Sequence, residues 1–165
     1  DSSEGAELSS KFAYAAQVGV GGALEERQME ATIAALGQGS AEAQACNENF
    51  LRDDAILVVT VISDEDDVAS SGNPADWKSQ LVQYKGGDEA GIVVLGLIGD
   101  LNQPGAVCTE DAGSSGGDDA TRLRQFVTSM DNHVLGSVCE PSYNTFFENA
   151  VDLIEETCIS FPIPE

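Results

Sequence analysis

The chain has 165 residues, enough for one domain with a real core and short of two. It sets 29 Asp and Glu against 7 Lys and Arg, a formal net charge of −22, so a phosphate backbone or an anionic membrane surface would repel it. Nucleic acid is a poor partner, and with no apolar run of membrane-spanning length and no basic-then-apolar leader, no membrane insertion is expected.

Ser9 to Gly22 is small and Gly-rich and leads into a helix from Ala23, where Leu24, Ala31, Ala35 and Met29, Ile33, Leu36 fall at helical spacing. Gly37 and Gly39 end that helix, and Ser40 to Asp54 is a connection. Ala55 to Ser63 is apolar and β-branched with almost no alternation, which predicts a strand covered on both faces, as in a parallel α/β sheet. It empties into Asp64-Glu65-Asp66-Asp67, and ligands of such sheets collect at the carboxyl ends of strands.

Ala75 to Tyr84 reads as a short amphipathic helix with Trp77, Leu81 and Tyr84 as its core stripe, broken by Gly86-Gly87-Asp88-Glu89. Gly91 to Gly99 is a second buried strand, ending at Asp100. Residues 101–119 are Pro/Gly/Ser-rich and acidic, an exposed loop tethered at Cys108. Thr121 to Met130 is a helix with Leu123, Phe126, Val127 and Met130 inward, and His133 to Val138 a third strand. Ser142 to Thr157 is a closing helix through Phe146, Phe147, Val151 and Ile154, and residues 159–165 form a tail.

Helices and strands alternating at this spacing predict one α/β domain over 1–165. The expected architecture is three-layered and doubly wound, with a mainly parallel, Rossmann-like sheet.

Parallel topology sorts the cysteines. Cys139 follows the third strand and Cys108 lies in the loop leaving the second, both at the carboxyl edge; Cys46 precedes the first strand and Cys158 ends the last helix, at the opposite edge. Four cysteines allow three pairings, and this placement favours Cys108–Cys139 with Cys46–Cys158. Closing the first loop would stabilise the fold by roughly 3 to 4 kcal/mol in the chain-entropy model. With no Cys-x-x-Cys pair, a structural zinc site is disfavoured. Disulfides place the chain in an oxidising compartment: extracellular, periplasmic or cell-surface.

Asp64, Asp66, Asp67 and Asp100 are the candidate oxygen ligands for a hard cation such as Mg²⁺ or Ca²⁺, against a plain reading as solvated acidic turns. The acidic run matches neither an EF-hand loop nor a two-metal nuclease, whose ligands come from separate elements. Gly19-Val20-Gly21-Gly22 lacks the Lys and Ser/Thr of a phosphate loop. His133, the single histidine, starts a strand and so sits at the amino edge, away from Asp64 and Asp100, which disfavours a nucleophile-histidine centre.

Several segments together resemble the second half of a von Willebrand factor type A domain of the extracellular bacterial kind. They are the Gly19-Val20-Gly21-Gly22 turn with Leu24-Glu25-Glu26, Asn49-Phe50-Leu51-Arg52-Asp53-Asp54-Ala55, Val61-Ile62-Ser63-Asp64-Glu65-Asp66-Asp67, and Cys139-Glu140-Pro141-Ser142-Tyr143. The resemblance implies a divalent cation gripping an acidic group of a protein ligand, with Asp64 as the metal-site aspartate after the fourth strand. The family's Asp-x-Ser-x-Ser has no counterpart, and Val20 stands where a Thr is expected, so the implied cation site is incomplete.

Lacking the family's first strands, the chain would leave Ala55 to Ser63 with an open apolar edge. That edge would be covered by a second polypeptide, by a homo-oligomeric copy or by Lys11 to Val20. The expected function is a non-enzymatic, secreted adhesion or protein-binding module. The alternatives are a structural subunit completed by a partner chain, and a metal-dependent hydrolase using Asp64, Asp66 and Asp100.

Overall fold

A computed structural model describes residues 25–37, 49–110 and 117–161, with isolated positions 7, 10, 11, 13, 14, 17, 21, 41, 45 and 47. Three strands form one sheet: β1 (Leu57–Ser63), β2 (Ile92–Ile98) and β3 (Asn132–Ser137). They lie in the order β1-β2-β3, all parallel, with Leu57 opposite Ile92, Val94 opposite His133 and Ile98 opposite Ser137. Four helices accompany them: α1 (Gln28–Leu36), α2 (Pro74–Tyr84), α3 (Thr121–Ser129) and α4 (Asn144–Ser160).

Composition explains the central strand. Every residue of Ile92–Ile98 is buried, because β2 has a neighbour on each edge and helices on each face. On one face, Ile92, Val94 and Ile98 join Leu57, Val59 and Val61 against Met29 and Leu36 of α1, Trp77 and Leu81 of α2, and Leu123, Phe126 and Val127 of α3. On the other, Val93, Leu95 and Leu97 pack against Phe146 and Ala150 of α4. Gly96 is required here, since a Cβ would stand 2.7 Å from a Val127 methyl.

The edge strand β1 departs from expectation. It alternates buried Leu57, Val59 and Val61 with exposed Val58, Thr60 and Ile62, so only one face is covered. The reason is placement: α4 follows β3 and lies over β2 and β3, leaving β1 bare on that side among the described residues. The inward stripe of α4 is also shifted from the predicted one. Phe146, Ala150 and Thr157 are buried, whereas Phe147 and Val151 are 44% and 52% exposed.

Local chemistry sets the helix ends. Asn73 accepts hydrogen bonds from Ala75 and Asp76 N–H while Asp76 accepts from Asn73 N–H, a capping box completed by Pro74 in the first turn. α1 and α3 have no such local device: Arg27 and Ala120 occupy their N-cap positions without a side-chain cap.

Gly19, Val20, Gly22 and Leu24 lie outside the described residues. Ser10, Lys11, Ala13 and Tyr14 are helical rather than extended, so these positions do not supply a strand beside β1. The described sheet therefore steps in one direction from β1 to β3, without the reversal of strand order expected of a doubly wound sheet.

Candidate functional site

Two features coincide at the edge formed by the strand ends: the acidic turn after β1 and the tethered loop after β2. The acidic turn acts inward. Asp67 is 0% exposed, and its Oδ2 accepts from Met29 N–H at 2.7 Å and from Ser70 Oγ–H at 2.7 Å, its Oδ1 from Ser70 N–H at 2.9 Å. Ser70 Oγ in turn accepts from Glu30 N–H. Between them, Asp67 and Ser70 satisfy the first-turn amides of α1 that Arg27 leaves open.

Asp66 does the same for α3, accepting from Arg122 and Leu123 N–H at 3.0 to 3.1 Å. The Arg122 guanidinium donates to the Asp67, Ser70 and Gly72 carbonyls and lies over the Trp77 ring, 4.6 Å from its centroid. One turn thus ties β1 to two helices. Asp64 and Glu65 remain exposed, and the Asp64 carbonyl accepts from Asp118 N–H.

Asp100, just past β2, accepts from Val107 N–H through Oδ2 and from Cys108 N–H through Oδ1. Burial raises this carboxyl, but the two amides, the Ser137 hydroxyl and the Arg124 charge outweigh burial and hold it below its ordinary 3.8. Asp100→Asn is therefore expected to lose about 1.5 to 3 kcal/mol at neutral pH. Because the folded carboxyl titrates below the unfolded one, that stabilisation is complete above 3.8 and is lost as pH falls through the lower folded value. Wild type and variant should converge in acid, which urea unfolding at neutral pH and at about pH 2 would read.

The predicted Cys108–Cys139 disulfide is formed, spanning 31 residues. Of the second predicted pair, Cys158 is a free, exposed thiol on α4, one residue past buried Thr157. Cys46 lies outside the described residues. His133 is the second residue of β3, near the amino edge as expected, its Nδ1 2.6 Å from the Met130 carbonyl.

The proposed cation ligands are dispersed. Asp66 and Asp67 spend their carboxylates on backbone amides, and among the described residues Asp64, Asp66, Asp67 and Asp100 do not make a group of three converging ligand atoms. Among the described residues, the cluster whose ligand atoms lie within 4.8 Å of one another is Asp100, Cys108 and Cys139.

A groove of about 1120 Å³ lies between α2 and α3, lined by Asn73, Val82 and Gln125. Its charged groups are already engaged: Lys78 pairs with Glu89 at 2.6 Å and donates to the Ser129 carbonyl.

A second surface lies beside β1. Thr145 and Asn149 of α4 line a cleft against Val134 and Gly136 of β3, so helical geometry turns the opposite flank, Phe147, Val151 and Cys158, toward the β1 side. Ile56 and Ile154 bridge that flank to the core beneath α4. Val58 and Ile62, the latter 54% exposed, continue the same apolar face onto a strand with no neighbour on its outer edge among the described residues.

These features define an α/β protein with a three-stranded parallel sheet flanked by helices on both faces, compatible with a Rossmann-like fold, and stapled by a disulfide at its carboxyl edge. No family model, curated protein or solved structure matches the chain.

Proposed function

We propose that the chain is a non-enzymatic protein-binding module of von Willebrand factor type A kind, working outside the cytoplasm, with a degenerate cation site. The observation behind this reading is β1: an edge strand whose outward face, with exposed Val58 and Ile62, is uncovered among the described residues. Outer-edge strand amides with no partner among the described residues, beside exposed Val58 and Ile62, are a template for strand addition, and an apolar patch of this kind favours a polypeptide over a small polar ligand. The Cys108–Cys139 disulfide supports an oxidising setting. No helix among the described residues is long and apolar enough to cross a membrane.

Native mass spectrometry of the non-reduced chain in Mg²⁺ and Ca²⁺ buffer, paired with hydrogen exchange of residues 57–63, tests the reading. It expects a complex with a second polypeptide in which the β1 amides are protected. A homo-oligomer without cation dependence would instead assign the edge to self-assembly, as in a structural subunit. A stable monomer whose β1 amides exchange freely would overturn the proposal.

A directed variant follows from the same surface. Val58→Lys with Ile62→Lys places two charges on the bare face, where neither side chain contributes a buried core contact. Stability should change by no more than about 1 kcal/mol, while association through β1 should be abolished. Urea unfolding and analytical ultracentrifugation would separate the two effects.

A further inference from the structure

We propose that reduction of Cys108–Cys139 converts the carboxyl edge of β2 and β3 into a zinc-binding site. Its ligands are the two sulfurs and one Asp100 carboxylate oxygen, with water in the fourth position. This stands independently of the β1 surface. The three ligand atoms already lie within 4.8 Å of one another, and Asp100 and Cys108 are buried.

Bonds other than the disulfide hold them there. Val107 and Cys108 N–H anchor the loop on the Asp100 carboxylate. Val138 N–H donates to the Ile98 carbonyl, and Cys139 N–H donates to Ser137 Oγ, which lies 3.6 Å from Cys108 Sγ. The β2–β3 ladder itself brings Ile98 beside Ser137. Opening the bond therefore releases two thiols without releasing the backbone that presents them.

The sulfurs must part to about 3.8 Å for tetrahedral zinc with Zn–S near 2.3 Å, a displacement that side-chain rotation at half-buried Cys139 can supply. Two thiolates select a borderline-soft ion over Mg²⁺ or Ca²⁺. Two thiolates, one carboxylate and Zn²⁺ sum to one negative charge, which Arg124 beside Asp100 offsets. The strongly acidic chain raises the local concentration of dications.

The chemistry balances with a dithiol as reductant. The protein disulfide takes two electrons and two protons, the dithiol becomes its own disulfide, and zinc displaces the two thiol protons to solvent. In the oxidised protein the sulfurs are bonded to each other and are not thiolate donors. The edge then acts as a redox gate on metal binding.

The test uses the full chain with Cys46→Ser and Cys158→Ser, so that Cys108 and Cys139 are its only thiols. Reduction by a phosphine, which takes up the oxygen of one water, leaves no competing thiol. After gel filtration with equimolar Zn²⁺, native mass spectrometry should find one zinc on the reduced chain and none on the oxidised chain. Co²⁺ in place of zinc should give thiolate-to-metal charge-transfer absorption.

Asp100→Asn should weaken zinc binding by about tenfold or more, and adding Cys139→Ser should remove the charge-transfer band. Three results would each overturn the proposal: a reduced, folded chain that retains no zinc; a chain that unfolds on reduction with zinc present; or zinc held equally by the oxidised protein, the mark of adventitious carboxylate binding.

Discussion

Asp67→Ala should destabilise the protein by about 3 to 4 kcal/mol, whereas Asp64→Ala, three residues earlier, should stay within about 0.5 kcal/mol. The difference lies in what each carboxylate serves. Asp67 is fully buried and accepts from Met29 N–H, Ser70 N–H and Ser70 Oγ–H. Removing it leaves two buried amides without an acceptor, one of them in the first turn of α1, and leaves Arg122 Nη1 without the carboxylate 4.0 Å away.

Unsatisfied buried amides cost about 1 to 3 kcal/mol each, and the negative end-charge favourable to the α1 dipole is lost as well. Relaxation and water entry reduce that sum. Asp64, exposed and contributing only its backbone carbonyl to Asp118, has nothing comparable to lose. Urea unfolding of the two variants with and without chelator reads both points. A large loss at Asp64, or a chelator effect equal to the Asp67 loss, would return the acidic turn to a metal role.

That contrast shows how far the sequence can be read. All seven elements were legible, because each announces itself within its own length: the unbroken apolar run of β2, the inward Trp77 and Leu81 of α2, and the inward Leu123, Phe126 and Val127 of α3. Parallel topology also placed Cys108 and Cys139 at one edge, where they bond.

The acidic run resisted the same treatment. Asp67 reaches Met29 across 38 residues and Asp66 reaches Arg122 across 56, so their role as helix caps is fixed by tertiary placement. A signal did exist: α1 and α3 begin at Arg27 and Ala120, which cannot cap, and a helix start without a capping residue implies a donor-hungry turn seeking an acceptor elsewhere.

The coverage of β1 failed for a different reason. A continuous apolar strand demands cover on both faces, and the described residues provide only one. Composition states the need, while the position of α4 over β2 and β3 decides that it goes unmet here. The one-residue offset in the α4 stripe has the same origin. Phe147 and Val151 are apolar in sequence yet exposed, on the flank away from the β3 cleft.

Gly99→Ala should cost at least about 3 kcal/mol and loosen the loop that closes the carboxyl edge. Gly99 follows β2, with its N–H donating to the Ser63 carbonyl at the end of β1 and its carbonyl accepting from Ala120 N–H and Arg124 Nη2. A Cβ there would stand 2.1 Å from the Asp118 carbonyl oxygen and 3.0 Å from Asp118 N. These are backbone atoms, so no rotamer change can relieve the clash, and residues 117–120 must move.

Their movement breaks Asp118 N–H to the Asp64 carbonyl at 2.7 Å and strains the bridge between Asp100 and Asp119. It also withdraws Gly117 from Cys108 Sγ, against which it packs so closely that a Cβ would stand 2.9 Å away. The disulfide, β1 and the start of α3 therefore share one backbone hinge-free contact at Gly99. The expected result is a lower urea midpoint together with faster proteolysis between Leu101 and Asp119. Unchanged stability and unchanged cleavage would mean that residues 117–120 do not rest on the strand end, and would remove the anchor assigned to the whole carboxyl edge.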